Sequence, residues 1–87
     1  MRFIISTEFK KKLKKSPLKL RVRIDERVEL FLLNPNDLIL DNHSLRGEYS
    51  GYRSIDVTGD IRLIYREIDK DIVLLVRFGT HHELYGN

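Results

Sequence analysis

The sequence contains no cysteine and no tryptophan, and only one methionine and two prolines among its 87 residues. Without thiols it can build neither a disulfide framework nor a thiolate metal site, and a reducing cytoplasm is the expected setting. No apolar run approaches the roughly eighteen residues that suggest a membrane span. The opening "MRFIIST" lacks the length and cleavage pattern of a secretory signal, so neither membrane association nor export is expected. Internal repeats and low-complexity linkers are missing too. What remains is 41% hydrophobic and 33% charged, the composition of a folded globule. A chain this short builds one hydrophobic core, so residues 1–87 read as a single domain.

The net charge of +3 conceals a division. Residues 1–35 hold ten Lys/Arg against four Asp/Glu, and residues 36–87 hold six against nine. A cationic surface on the first part attracts phosphate backbones, and it would attract an acidic protein equally well. A solvated lysine-rich helix face is the plainer account of the same residues.

Element signals follow in order. "RFIIS" is a short β-branched run bounded by Ser6 and Thr7, a first strand. In "EFKKKLKK" Phe9 and Leu13 lie four apart with lysines around them, a helix capped by Ser6 or Thr7. Ser16-Pro17 reads as the start of a second helix, with Ser16 as its cap. "LKLRVRI" alternates as a strand would, yet Leu20, Ile24, Val28 and Phe31 recur at helical spacing, and the helix should end before Pro35. Residues 34–50 form a long ordered loop anchored by "LIL". Three strands, "GYRSIDV", "IRLIYREI" and "IVLLVRFGT", then follow across the turns "TGD" and "DKD".

Short turns make these strands an antiparallel meander. Pairing Val57 with Ile61 sets Ile55 opposite Leu63 and Asp56 opposite Arg62. Pairing Ile68 with Asp71 sets Leu63 opposite Val76 and Arg62 opposite Arg77. One face then carries Ile55, Val57, Ile61, Leu63, Tyr65, Leu74, Val76 and Phe78, ready to receive the helices. The other carries Tyr52, Ser54, Asp56, Arg62, Arg66 and Arg77. Two facing arginines repel unless an anion lies over them, and Arg suits bidentate phosphate contact; splaying into water or pairing with Glu67 or Asp41 would relieve them as well. The third strand delivers His81 and His82 to the edge of that face, where imidazole can exchange protons at neutral pH. Such groups around a phosphate meet the needs of RNA cleavage by its own 2′-hydroxyl, and an exposed histidine pair in a tail remains the alternative. His43, His81 and Asp60 have no metal-ligand spacing, so no metal and no cofactor is expected.

The block "NHSLRGEYSGYRSIDVTGDIRLIY" with "VRFGTHHELYG" resembles the RelE superfamily of bacterial toxins, and within it the YafQ-like branch. The likeness is clearest from His43 to Gly86, about half the chain. It implies an α+β, two-layer fold in which two N-terminal helices pack on an antiparallel sheet in the order β-α-α-β-β-β. It also implies a toxin of a type II toxin-antitoxin pair, a metal-independent endoribonuclease that cuts messenger RNA on the ribosome and is neutralised by a cognate antitoxin in a hetero-oligomeric complex. By this resemblance His43, Asp60, His81 and Tyr85 fall on functional positions, and Arg62 matches an arginine used against the scissile phosphate. Asp56 stands where the branch has a further histidine. Arg46, Arg53 and Arg77 are expected to bind RNA or its phosphates, and Lys10, Lys11, Lys12, Lys14 and Lys15 to contact ribosomal RNA without reading sequence. The rival reading keeps the same fold as an antitoxin- or RNA-binding module with cleavage weakened or lost. A nuclease acting on free RNA is a further rival. The expectation that joins these residues is geometric: Arg62 and His81 should share one shallow pocket.

Overall fold

The computed structural model describes residues 1–86. Strand β1 (Arg2–Ile5) leads into helix α1 (Thr7–Lys15) and then helix α2 (Leu18–Leu33). The connection that follows holds two single 3-10 turns, Leu38–Leu40 and Gly47–Tyr49, with the short strand β2 (His43–Ser44) between them. Strands β3 (Arg53–Asp56), β4 (Ile61–Asp69) and β5 (Ile72–Thr80) form the meander, and helix α3 (His81–Tyr85) follows β5 directly.

The two helices form where the apolar spacing puts them. Ser6 caps α1, its hydroxyl accepting from the Phe9 N–H at 3.0 Å, and Phe9 is buried from that first turn. Ser16 does not cap α2. Its hydroxyl donates back to the Lys12 carbonyl at 2.8 Å and so closes α1, while Pro17 precedes α2 without a side-chain cap. In α2 the helical period prevails over the alternation. Ile24, Val28 and Phe31 are buried, whereas Leu18 and Val22, which a strand would bury, stay exposed.

The sheet has five strands in the order β1-β5-β4-β3-β2. It is mixed: β1 joins β5 in parallel, and β2 adds an antiparallel edge with His43 opposite Ser54. The parallel pairing becomes possible because α1 and α2 carry the chain far enough to return along the opposite edge. The anchoring run "LIL" contributes one side chain to the core, Leu40, while Leu38 is 94% exposed. The α+β fold of two helices on a sheet is thus observed, with β2, α3 and the parallel edge added to it.

The register of β3 on β4 is the expected one, with Ile55 opposite Leu63 and Asp56 opposite Arg62. That of β4 on β5 is not. Leu63 faces Phe78, Arg62 faces Gly79 and Arg77 faces Ile64, because the turn sets Asp69 rather than Ile68 as the first paired residue, opposite Ile72; the two later shifts, between Glu67 and Asp69 and between Ile64 and Tyr65, add one residue to each strand and cancel. At the shift between Ile64 and Tyr65, Val76 is the extra, unpaired residue, a β-bulge. The core on the helix side therefore takes Val73 and Leu75 rather than Leu74 and Val76, and joins them with Phe9, Ile24, Val28, Phe31, Leu40, Ile55, Val57, Leu63, Tyr65 and Phe78. No helix among the described residues is long and apolar enough to cross a membrane.

Candidate functional site

Arg62 and Arg77 do not face each other, so the repulsion expected between them is not what organises the polar face. Each lies on that face in its own environment. Arg62 is 15% exposed and spends its donors inside the protein. Its Nε and Nη2 donate to the Ser54 hydroxyl at 3.0 and 2.9 Å, and Nη2 also donates to the Asp41 carbonyl at 2.9 Å. Nη1 donates to the Asp56 carboxylate and, at 3.4 Å, to that of Asp41. Two carboxylates against one guanidinium leave this cluster net negative, which disfavours a phosphate there.

His43 belongs to the same cluster. Its Nδ1 lies 3.0 Å from the Asp41 carbonyl and 3.3 Å from Nη2 of Arg62. Asp41 adopts a left-handed backbone with φ 45°, which only Gly, Asn and Asp visit routinely. Asn42 is clamped beside it. Its amide donates to the Pro35 carbonyl and the Tyr65 hydroxyl, both at 2.9 Å, and its oxygen accepts from Arg53 Nε at 2.9 Å. Arg53 pairs with Tyr65 and so lies on the helix side of the sheet, away from the face that carries Ser54 and Arg62.

Arg77 organises the second cluster. Its Nε and Nη2 meet the Glu8 carboxylate at 2.9 and 2.7 Å, and Nη1 donates to the Tyr49 hydroxyl at 2.7 Å. The Tyr49 hydroxyl in turn donates to the Leu84 carbonyl of α3 at 3.2 Å. The Tyr49 bond, followed by the Glu8 contact and against some burial, holds the Arg77 pKa above its ordinary value, so the group stays charged. One N–H on each terminal nitrogen is left over. These groups border a cavity of about 410 Å³ lined by Arg46, Glu48, Tyr49, Arg77, Leu84, Tyr85 and Gly86.

The terminal histidines lie on a helix, not in a tail. Thr80 and Glu83 form a capping box: the Thr80 hydroxyl accepts from the Glu83 N–H at 3.1 Å, and the Glu83 carboxylate accepts from the Thr80 N–H at 2.8 Å. That N–H, and after it the ammonium of Lys12, hold the Glu83 carboxyl below its ordinary 4.5. Gly86 ends the helix in the left-handed region. One turn of α3 packs the His81 ring against Tyr85, centroids 4.7 Å apart and planes tilted by 58°, and Tyr85 meets Tyr49 edge-on at 5.8 Å. The pattern T-x-x-E was the available signal for this helix. Tyr49, Asp41 and Ser54 carried no signal of comparable strength.

The remaining expected residues divide. Asp60 is exposed in the turn before β4, at the end of the sheet where Ile61 pairs with Thr80 just ahead of His81. Lys10, Lys11, Lys14 and Lys15 are exposed. Lys12 is committed elsewhere, donating to the Phe78 carbonyl at 2.8 Å and pairing with Glu83 at 3.3 Å. The polar face thus holds His43 with Arg62 in one group, and Arg46, Arg77 and Tyr85, with His81 packed against Tyr85, in another. Neither Arg62 nor His81 lines the cavity.

A family model described as "Bacterial toxin of type II toxin-antitoxin system, YafQ" matches residues 1–86. No curated protein matches the chain. Among solved structures, YafQ from E. coli strain BL21(DE3) is similar at 25% identity over 97% of both chains, with a TM-score of 0.81. YafQ in the E. coli DinJ-YafQ complex is similar at 27% identity over 97% of both chains, TM-score 0.77. A conserved hypothetical protein from Helicobacter pylori, solved in solution, shares 28% identity over 98% of this chain and 99% of its own, TM-score 0.65.

Proposed function

Because the chain belongs to the YafQ family of bacterial toxins of type II toxin-antitoxin systems, we propose that it is a cytoplasmic endoribonuclease, one domain throughout, that enters the ribosome and cuts messenger RNA there. The observation that carries this reading is the contact of the His81 ring with Tyr85, 4.7 Å between centroids, where Tyr85 itself lines a cavity with Arg77 and Arg46.

In the proposed reaction the RNA 2′-hydroxyl loses its proton to His81 or Asp60 and attacks the adjacent phosphorus. The bond to the 5′-oxygen breaks, and that oxygen takes a proton from His43 or His81. Arg77, with free N–H groups, and the exposed Arg46 neutralise the crowded phosphorane. Tyr85 aligns a base by stacking. Arg62 is enclosed by Asp41, Asp56 and Ser54, and its part is to hold the His43 loop. The exposed lysines of α1 add sequence-independent attraction to ribosomal RNA. E. coli YafQ has been solved with DinJ, and by extension this chain takes an antitoxin, an acidic protein that covers the positive first half.

The test is expression of the chain alone in bacterial cells with mapping of transcript ends. New ends within translated frames and arrested growth are expected, and His81→Ala should remove both while leaving the protein folded. One observation favours a second reading: Asp56 occupies the place of a branch histidine and is tied up in an ion pair with Arg62, as in a binding module that has lost cleavage. Such a module would bind its antitoxin or RNA and create no new transcript ends. Cleavage by purified protein without ribosomes would instead mark a nuclease of free RNA.

A further inference from the structure

The hydrogens around His43 can be counted, and the count decides which ring nitrogen is available. Nδ1 has two neighbours, the Asp41 carbonyl at 3.0 Å and Arg62 Nη2 at 3.3 Å. A carbonyl only accepts and a guanidinium only donates, so Nδ1 carries a hydrogen if it bonds the first and a lone pair if it bonds the second. Nη2 has two hydrogens, and both have closer takers, the Asp41 carbonyl and the Ser54 hydroxyl, each at 2.9 Å. Nε and Nη1 are committed to Ser54, Asp56 and Asp41. Any Arg62 hydrogen that meets the ring at 3.3 Å is shared with a closer acceptor, which makes it the weaker of the two contacts at Nδ1. Nδ1 is therefore the donor, and the Asp41 carbonyl fills its two lone pairs with His43 and Arg62.

We infer that Arg62 is a positioning residue for His43. Gripping the Asp41 carbonyl and held off the ring by Ser54, it fixes the Nδ1–H tautomer, so that Nε2 is the atom through which His43 exchanges its proton with RNA. The inference rests on the ribonuclease reading for its catalytic part only. A ring that gives its Nε2 proton to the departing 5′-oxygen returns directly to the tautomer this network holds, with no internal proton shift. The left-handed Asp41 and the clamped Asn42 keep the carbonyl in place under the ring. The orientation of a histidine by the partner of its other nitrogen is general chemistry; here the partner is a backbone carbonyl that an arginine holds.

Ser54 supplies the test, since it is fully buried and cannot touch RNA. In Ser54→Ala an Nη2 hydrogen loses its acceptor and becomes free to reach Nδ1, which favours the opposite tautomer. Long-range proton-nitrogen correlation spectra of the whole chain at about pH 8.5, where an ordinary imidazole is neutral, read the tautomer directly. The wild type should show Nδ1–H at His43, and Ser54→Ala should move the ring toward Nε2–H. Ribosome-dependent cleavage by Ser54→Ala should lose kcat with KM unchanged, within the roughly 10²- to 10⁴-fold that a positioned acid or base contributes. A wild-type Nε2–H ring, or a tautomer indifferent to Ser54→Ala, overturns the positioning role. A shifted tautomer with unchanged kcat overturns proton exchange at Nε2. A wild type that cleaves nothing removes the ribonuclease reading, while the spectra still decide the positioning role by themselves.

Discussion

Replacing Tyr49 by phenylalanine removes one oxygen and with it both bonds that tie α3 to β5 through this side chain. The hydroxyl accepts from Arg77 at 2.7 Å and donates to the Leu84 carbonyl at 3.2 Å. A hydrogen bond to a charged group contributes about 1.5–3 kcal/mol and a neutral one about 0.5–1.5. Arg77 is 35% exposed and keeps Glu8, so water recovers much of the first. The ring keeps its edge contacts to Tyr52 and Tyr85. The net loss is about 1–2 kcal/mol, which in a domain of this size lowers Tm by roughly 4–16 °C. Locally, the Gly86 amide, bonded to the His82 carbonyl at the end of α3, should exchange with solvent about 5–30 times faster. Thermal unfolding followed by circular dichroism and amide exchange by NMR measure the two effects. A Tm within a degree of wild type together with unchanged Gly86 exchange would refute the claim that Tyr49 anchors the terminal helix.

Leu40→Ala empties a fully buried position and should cost about 2–5 kcal/mol, read as a fall in the urea midpoint; a midpoint shift equal to that of the exposed Leu38→Ala would show that the loop is not anchored there. The lowered carboxyl pKa of Glu83 makes α3 sensitive to acid. Its folded value lies below 4.5, so its contribution is complete above 4.5 and fades as pH falls through the lower folded value. Glu83→Gln should flatten that segment of the stability-against-pH curve, and parallel wild-type and variant curves below 4.5 would contradict it. Lys12→Ala should lower stability and speed α3 exchange more than Lys11→Ala does, because Lys12 holds Phe78 and Glu83; equal effects would return Lys12 to the free cations.

Much of the architecture was legible because long apolar periods decide it. The burial of Ile24, Val28 and Phe31 follows from spacing alone, and so does the pairing of Ile55 with Leu63 across a short turn. The fifth strand was not legible, since two residues, His43 and Ser44, carry no period. The parallel edge partner of β5 depends on where the helices return the chain. Of the candidate site, the residue types were readable and their company was not. Arg62 read as a phosphate-binding cation with Asp56 opposite and Asp41 only one of several partners; that Asp41, Asp56 and Ser54 enclose it together depends on how the 34–50 connection returns to the sheet, which the sequence does not show. Lys12 looked like its neighbours because its partners, Phe78 and Glu83, lie far along the chain. The α3 helix was not legible although Thr80 and Glu83 stand at capping-box spacing: the strand ends at Thr80 as its sequence suggests, and the five residues of His81–Tyr85 are too few to display a helical period.

The bulge in β5 decides which side of the sheet carries Arg77. With strict alternation, Val73 and Leu75 on the core face would put Arg77 there too, a charge in a hydrophobic core at a cost of several kcal/mol. Val76, as one extra residue, turns the phase after Leu75. Phe78 then returns to the core against Phe9, ring centroids 5.0 Å apart, and Arg77 moves to the opposite face beside Ile64. The exposed carbonyl that such an insertion leaves is not wasted: the Ser6 hydroxyl donates to the carbonyl of Val76 while capping α1. That same cap starts the helix whose first turn brings Glu8 to Arg77. The extra residue in β5 thus lets "IVLLVRFGT" bury Val73, Leu75 and Phe78 on one side and present its arginine on the other, which no uniform period could do.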